Sequence, residues 1–135
     1  MKKLALMFMI ALFTAGCAAL LQPTDEEFAK ADYGEYPSNY EEIVKQHITG
    51  YLLDPESARF SDWKEPKKDW FRDRGLHFGY RVCVRVNAKN RMGGYTGKKL
   101  TYLLIKNGRI IGTEGGDYRY GSVGEEDVEK LCRKY

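Results

Sequence analysis

The chain has 135 residues, with 22 lysines and arginines against 19 aspartates and glutamates, a formal net charge of +3 and 43% hydrophobic residues. This length predicts one domain with a modest core. The near balance of charge excludes a strongly basic or acidic protein and indicates no particular partner.

The amino terminus begins with two lysines and an unbroken apolar run over residues 4–13, followed by Thr14-Ala15-Gly16-Cys17. The run is too short to cross a bilayer but has the length of the hydrophobic region of a secretory signal. The segment resembles a bacterial lipoprotein signal, although Thr14 stands where that pattern more often has leucine. The resemblance implies cleavage after residue 16 and lipidation of Cys17, with ordinary secretion as the alternative. Ala18 implies sorting to the outer membrane.

The sequence therefore predicts a signal peptide over residues 1–16, a lipid-anchored tether over 17–37 and one globular domain over 38–135. The tether is expected to be flexible because it is acidic and polar and contains two prolines and a glycine. The expected location is the cell envelope, at the outer membrane and facing the periplasm.

Without Cys17, the remaining cysteines are Cys83 and Cys132, an even pair in an oxidising compartment. We predict a disulfide between them, since the alternative of a reactive or metal-binding thiol pair lacks CxxC spacing and an adjacent histidine. The two histidines, His47 and His77, are not at metal-ligand spacing, and no catalytic triad is indicated. The sequence predicts no metal, no cofactor and no enzyme activity.

The first helix of the domain is predicted to start at Ser38, which forms a capping-box pattern with Glu41, and to end before Asp54-Pro55. Its apolar positions recur at helical spacing. They are Tyr40, Ile43, Val44, His47, Ile48, Tyr51 and Leu52. His47 on this stripe is expected to be a packed, hydrogen-bonded residue rather than a base or ligand.

The next segments predict a sheet. Residues 58–63 form a possible edge strand, 64–74 a charged loop and 79–88 the strongest strand, with Tyr80 and three valines on one face and Cys83 on the other. Residues 100–106 and 109–112 flank Asn107-Gly108, a type I′ hairpin signal.

A last helix is predicted after a second capping-box pattern, Ser122 with Glu125. Its apolar stripe is Val128, Leu131, Cys132 and Tyr135. The predicted fold is α+β: an N-terminal helix, a three-stranded or possible four-stranded antiparallel meander, and a C-terminal helix. Because Cys83 faces away from the valines, either the two helices cover opposite faces of the sheet or the strand contains a bulge.

Two stretches carry a family resemblance: Asp54-Pro55-x-Ser57-Ala58-x-Phe60, and Val82-Cys83-x-x-Val86-Asn87-Ala88-Lys89-Asn90-x-x-Gly93-Gly94-Tyr95-Thr96-Gly97. The pattern is similar to that of small uncharacterised bacterial exported proteins and lipoproteins, and it implies no activity. Val84-Arg85 stands where those sequences often have glycine and an acidic residue.

The long connection after the strongest strand is the candidate binding loop. Its glycines allow positive φ angles, and its polar side chains offer donors beside a tyrosine. The residues singled out are Asn87, Lys89, Asn90, Gly93, Gly94, Tyr95 and Gly97. The alternative is that these residues only form a long hairpin connection, with asparagine side chains satisfying loop amides.

Residues 57–113 hold 14 basic and 4 acidic side chains, whereas residues 18–56 hold 2 basic and 9 acidic ones. This basic middle is either a solvated, partly neutralised sheet face or a surface for teichoic acid, lipopolysaccharide phosphate or an acidic protein. Nucleic acid is not an expected partner of an exported, tethered protein.

Two functions remain. The first is a non-enzymatic structural or accessory lipoprotein, attached to the membrane by its lipid, that binds another envelope protein. The alternative is a cell-wall glycan-binding module, or an inhibitor of a wall-degrading enzyme, that would use exposed aromatic side chains. The candidates are Trp70, Tyr95, Tyr118 and Tyr120.

Overall fold

The structure is a computed structural model that describes residues 22–115 and 124–133. Its elements, in chain order, are helix α1 (Asp25–Ala29), helix α2 (Tyr40–Thr49), a 3-10 turn (Pro55–Ser57), strands β1 (Arg59–Arg72), β2 (Leu76–Asn87), β3 (Lys99–Lys106) and β4 (Arg109–Gly115), and helix α3 (Glu125–Arg133). The strands form one antiparallel sheet in the order β1-β2-β3-β4. The predicted α+β class is confirmed, with four strands.

The predicted capping box of the first long helix is wrong. Asn39 is the N-cap of α2 and makes no capping hydrogen bond with its side chain. Ser38 lies one residue too early, and the Glu41 carboxylate instead pairs with Lys45 at 2.9 Å. A capping box does form at α1, where Thr24 and Glu27 bond reciprocally.

The helix α2 also ends earlier than predicted, with Gly50 as its C-cap. Asp54 serves the next element instead, since its side chain accepts a hydrogen bond from Ser57 N at 3.2 Å at the start of the 3-10 turn. Tyr51 therefore lies outside the helix, which corrects its prediction as part of the apolar helical stripe, and it is 63% exposed.

The predicted charged loop over residues 64–74 is wrong, because β1 continues through Arg72. Its register with β2 shifts twice, between Ser61 and Lys64 and between Lys64 and Lys67. Each bulge breaks the two-residue alternation by which a strand is recognised. The buried Pro66 is compatible with a strand here because β1 is the edge of the sheet.

The two long helices cover opposite faces of the sheet, which decides between the alternatives left open by the sequence. On one face α2 packs against the valines of β2, and on the other α3 packs beside Cys83. The first core is Val44, Ile48, Val82, Val84, Val86, Leu103 and Ile105. The second is Cys83, Tyr102, Leu104 and Val128. Alternate side chains of β2 and β3 supply both cores.

The predicted disulfide between Cys83 and Cys132 is confirmed, with Cα atoms 6.0 Å apart. It joins the centre of the sheet to α3, whose Val128 is fully buried. The predicted cap Ser122 and the last stripe residue, Tyr135, lie outside the described residues.

Part of the predicted tether lies against the sheet. Phe28 and Tyr33 contact the ring of Phe78 edge-on, at centroid distances of 5.9 and 5.4 Å. Asp32 forms an ion pair with Lys106 at 3.1 Å. These contacts attach the chain from α1 onward to β2 and β3. The prediction of a flexible tether over 17–37 does not anticipate them.

The hairpin between β3 and β4 turns at Asn107 and Gly108, whose φ angles are +48° and +73°. A type I′ turn requires a left-handed backbone conformation at both central residues, so the predicted turn is confirmed. Asn107 Oδ1 also accepts a hydrogen bond from Glu35 N at 3.2 Å, which joins the turn to the amino-terminal segment.

Candidate functional site

The two edges of the sheet differ in how they are protected. The β1 edge has two bulges, a proline and exposed charged side chains such as Lys64 and Lys68. Natural edge strands use these features to prevent pairing with other chains. In β4 the one bulge places Ile111 between paired residues, and this side chain is 37% exposed. Among the described residues no strand pairs with the outer edge of β4.

A cleft of about 470 Å³ lies along this edge. It is formed by β4, by the last turn of α2 and the chain just after it, and by the end of β1 with Asp73. We call it the β4 cleft. The lining residues that matter to its chemistry are His47, Tyr51, Phe71, Asp73, Ile111 and Glu114. They come from three separate parts of the chain, and none belongs to the predicted binding loop.

The α2 side of the cleft is aromatic and polar. His47 and Tyr51 are four residues apart, and their rings meet edge-on with centroids 5.1 Å apart. A hydrogen bond joins His47 Nε2 and Thr113 Oγ1 at 3.5 Å. Burial lowers the pKa of His47, which keeps the imidazole neutral at physiological pH. His47 is packed and hydrogen-bonded as predicted, but the sequence did not indicate that it lines a cleft.

The opposite side of the cleft depends on a close approach of β1 to β4. A Cβ atom built on Gly112 would lie 3.3 Å from the ring of Phe71. Glycine at this position therefore allows the Phe71 ring to lie against the β4 backbone. Since Phe71 was predicted in a loop, the sequence did not identify this contact.

Two carboxyl groups give the cleft its charge. Burial raises the pKa of Glu114, and the nearby Asp73 carboxylate raises it further. Glu114 Oε2 is buried and accepts no hydrogen bond from the described residues. A desolvated carboxylate oxygen without a donor is costly, so the cleft is suited to a ligand that brings a donor or a positive charge.

The predicted binding loop is held by its own asparagines. Asn90 Oδ1 accepts hydrogen bonds from Met92 N at 3.0 Å and from Gly94 N at 3.1 Å, and Asn87 Oδ1 accepts one from Gly97 N at 3.0 Å. Gly93 and Gly97 have φ angles of +79° and +94°. These are the contacts that a hairpin connection needs, and ligand binding by the loop stays a hypothesis.

The ring of Tyr95 lies beside two cations of the same chain. The guanidinium of Arg59 is 4.6 Å from the ring centroid and the ammonium of Lys89 is 5.7 Å from it. Lys89 and Tyr95 also form a bridge between the two arms of the loop. Tyr95 is thus the residue that attaches the loop to the start of β1.

Other basic residues of the chain are partly neutralised within the fold. Arg85 lies near Asp62, Glu125 and Glu129, with N to O distances of 4.0, 3.7 and 3.7 Å. These contacts support the interpretation of the basic middle as a neutralised sheet face. The residue Arg85, which departs from the resembling family, connects the sheet to the first turns of α3.

Several predicted residues lie outside the described part of the chain, namely the lipidation site Cys17 and the aromatic candidates Tyr118 and Tyr120. Within residues 22–115 and 124–133, no three metal-ligating side chains are grouped to hold an ion. In the same ranges no helix has the length and apolarity needed to span a membrane.

Comparisons of this chain with protein-family models, with curated proteins and with solved structures found no match.

Proposed function

We propose that this protein is a non-enzymatic envelope lipoprotein that binds another envelope protein. It would be attached to the outer membrane through a lipid on Cys17 and would face the periplasm. Support for the location comes from the amino-terminal segment, with its two lysines, its apolar run and its small-small-Cys triplet. The disulfide is consistent with an exported protein, because such bonds persist in oxidising compartments.

The observation that supports protein binding is the contrast between the two sheet edges. An exposed strand edge presents unpaired amide and carbonyl groups, on which an extended segment of another protein can add as a further strand. The β1 edge is protected against such pairing, whereas β4 presents Ile111 and a cleft of about 470 Å³. A bulge that turns one side chain outward is common beside functional sites.

Site-specific photo-crosslinking in intact cells tests this proposal. A photoreactive amino acid at Ile111 is expected to give one discrete adduct with an envelope protein. The same substitution at Lys64, an exposed residue of the protected β1 edge, is the matched control and is expected to give none. Equal adduct patterns at the two positions, or no adduct at Ile111, would contradict the proposal.

The lipid anchor has its own test, which does not depend on the partner. Labelled palmitate is expected to be incorporated into the wild-type chain and to be absent from a Cys17→Ser variant, which should leave the membrane fraction. A Cys17→Ser variant that stays membrane-attached and labelled would rule out this anchor.

The alternative of a glycan-binding module has weaker support. Its best-placed candidate in the described residues, Tyr95, is in contact with Arg59 and Lys89. Stacking on a sugar would have to compete with these contacts. Co-sedimentation of the protein with cell-wall sacculi at high salt is the measurement that would favour this alternative.

A further inference from the structure

We infer that the β4 cleft selects an extended segment of its partner that carries a lysine or arginine, with the basic group placed against Glu114 and Asp73. This inference rests on the proposed function and specifies its partner. It names a chemical pattern: a basic side chain in a β-strand, with an apolar side chain two residues away.

The first step is the need of Glu114 for a positive charge. Glu114 Oε2 is buried and has no hydrogen-bond donor among the described residues. Asp73 is close enough to oppose ionisation of Glu114. A bound ammonium or guanidinium group would supply hydrogen bonds and neutralise charge at once.

The second step concerns the other charged groups that line the cleft. His47 is kept neutral by burial and is bonded to Thr113. Arg72 is positively charged and lies near Glu27 of α1. The pKa of Glu27 is lowered mainly by its hydrogen bond from the Thr24 backbone and in small part by the charge of Arg72. Arg72 therefore faces a carboxylate at α1 as well as the cleft. With His47 neutral, the cleft favours a cationic ligand.

The third step is the geometry of strand addition. Gly112 and Glu114 lie on the α3 face of β4, because they pair with Leu104 and Tyr102 of β3, whose side chains belong to the core beside α3. Phe71 packs against that same core. In a strand paired with β4, the side chain opposite Glu114 would lie on this same face. The side chain two residues away would lie opposite Gly112, beside the Phe71 ring. Hence the basic residue is expected opposite Glu114 and the apolar one opposite Gly112.

The test uses the full chain in detergent, with its isoleucine methyl groups labelled for NMR. The first probe is an acetylated, amidated hexapeptide of alternating threonine and valine in which one central valine is replaced by lysine, so that a valine lies two residues from the lysine. The second probe is the same peptide with norleucine in place of lysine. We expect the lysine peptide to bind about tenfold more tightly, as for a hydrogen bond between charged groups. Shifts are expected at Ile48, Ile110 and Ile111, which line the cleft, and not at Ile43 or Ile105.

Glu114→Gln is expected to abolish the preference for lysine over norleucine while leaving the reference methyl groups of Ile43 and Ile105 unchanged. Glu56→Gln makes the same chemical change at an exposed site away from the cleft and is expected to keep the full preference. Asp73→Asn is expected to weaken the preference about two- to threefold, since Asp73 contributes charge without being the buried partner.

Equal affinities of the two peptides, no methyl shifts in the cleft, or a lysine preference that survives Glu114→Gln would each overturn this inference. None of these results would remove a discrete crosslink from Ile111. A crosslink with no lysine preference would thus reject the charge selection alone, whereas the absence of any crosslink would reject the proposed function.

Discussion

Arg81 in β2 donates a hydrogen bond to the backbone carbonyl of Leu131 in α3 at 2.8 Å. Two residues further along β2, Cys83 is covalently bonded to Cys132, the neighbour of Leu131. The helix is therefore attached to the sheet twice within one short stretch. The Arg81 side chain is 5% exposed, and it forms an ion pair with the equally buried Asp69 at 3.4 Å.

Loss of Arg81 should destabilise the fold strongly. In an Arg81→Met variant the Asp69 carboxylate would stay buried without its cation, and the Leu131 carbonyl would lose its donor. We expect the free energy of unfolding to fall by about 3–5 kcal/mol, the range for breaking a buried pair by removing one partner. Urea denaturation followed by circular dichroism measures this change.

The double variant Asp69→Asn with Arg81→Met is the control for this prediction. An asparagine would keep Oδ1 as the acceptor for Trp70 N, which donates to Asp69 Oδ1 at 2.9 Å. Its Nδ2 would donate to the hydroxyl oxygen of Tyr102, which lies 3.5 Å from Asp69 Oδ2, and no charge would be buried. The double variant should thus be more stable than Arg81→Met alone. A further loss of stability would mean that the charge on Asp69 is not the source of the penalty.

The disulfide should contribute a large share of the stability of this small domain. It joins positions 49 residues apart. For a loop of this length the chain-entropy model gives about 4 kcal/mol. The double variant Cys83→Ala with Cys132→Ala is expected to lose this amount in denaturant unfolding, and addition of a reductant should then have no further effect. A loss below about 1 kcal/mol would contradict the prediction.

The features predicted well from sequence are those controlled by local or pairwise rules. Asn107-Gly108 fixes its turn through backbone preferences of two adjacent residues. The disulfide follows from the two cysteines that remain once Cys17 is assigned to the lipid. In contrast, the strand predicted over residues 58–63 is shorter than β1, because bulges near Asp62 and Pro66 remove the alternation that identifies strands. Ser38 failed as a cap since the helix starts one residue later than its motif indicates.

The candidate site was not predictable because its parts meet only in the folded chain. His47, Phe71 and Glu114 lie far apart in sequence and converge at one edge of the sheet. The sequence contained one usable signal, namely that β4 has no lysine or proline to protect it. That signal required the knowledge that β4 is an edge strand, which depends on the order of the strands.

The end of β4 should be intolerant of any side chain at Gly115. This residue has a φ of +80°, and a Cβ atom there would lie 2.5 Å from Leu100 O and 2.9 Å from the nearest methyl carbon of Val128. Gly115→Ala thus combines backbone strain, about 1–2 kcal/mol, with a clash against α3. We expect thermal unfolding at a clearly lower temperature than in the wild type.

Gly108→Ala is the matched control for Gly115→Ala. Gly108 also has a positive φ, +73°, but no atom lies within 4 Å of its added Cβ. It should lose only the strain component of about 1–2 kcal/mol. Equal losses in the two variants would show that the contact of β4 with Val128 does not limit the space at Gly115.

Binding of the lysine peptide to the β4 cleft should strengthen as pH rises. Below the raised pKa of Glu114 the carboxyl group is neutral and attracts no cation, and as pH rises through that pKa it ionises. In the free protein this raised pKa gives stability at low pH that is lost as Glu114 ionises, and a bound lysine offsets the loss. His47 also favours binding of the lysine peptide at higher pH, because a protonated imidazole would repel the lysine. Burial lowers the pKa of His47, so its protonation is confined to low pH.

The affinity of the lysine peptide is therefore expected to increase between about pH 4 and about pH 7, as followed by the Ile111 methyl resonance. Asp73 and Arg72 are the other charged groups that line the cleft. The norleucine peptide should show a flatter profile. Glu114→Gln should remove most of the pH dependence and leave the part due to His47. An affinity for lysine that falls as pH rises would contradict an ionised Glu114 as its partner, since only the ionised form attracts the cation.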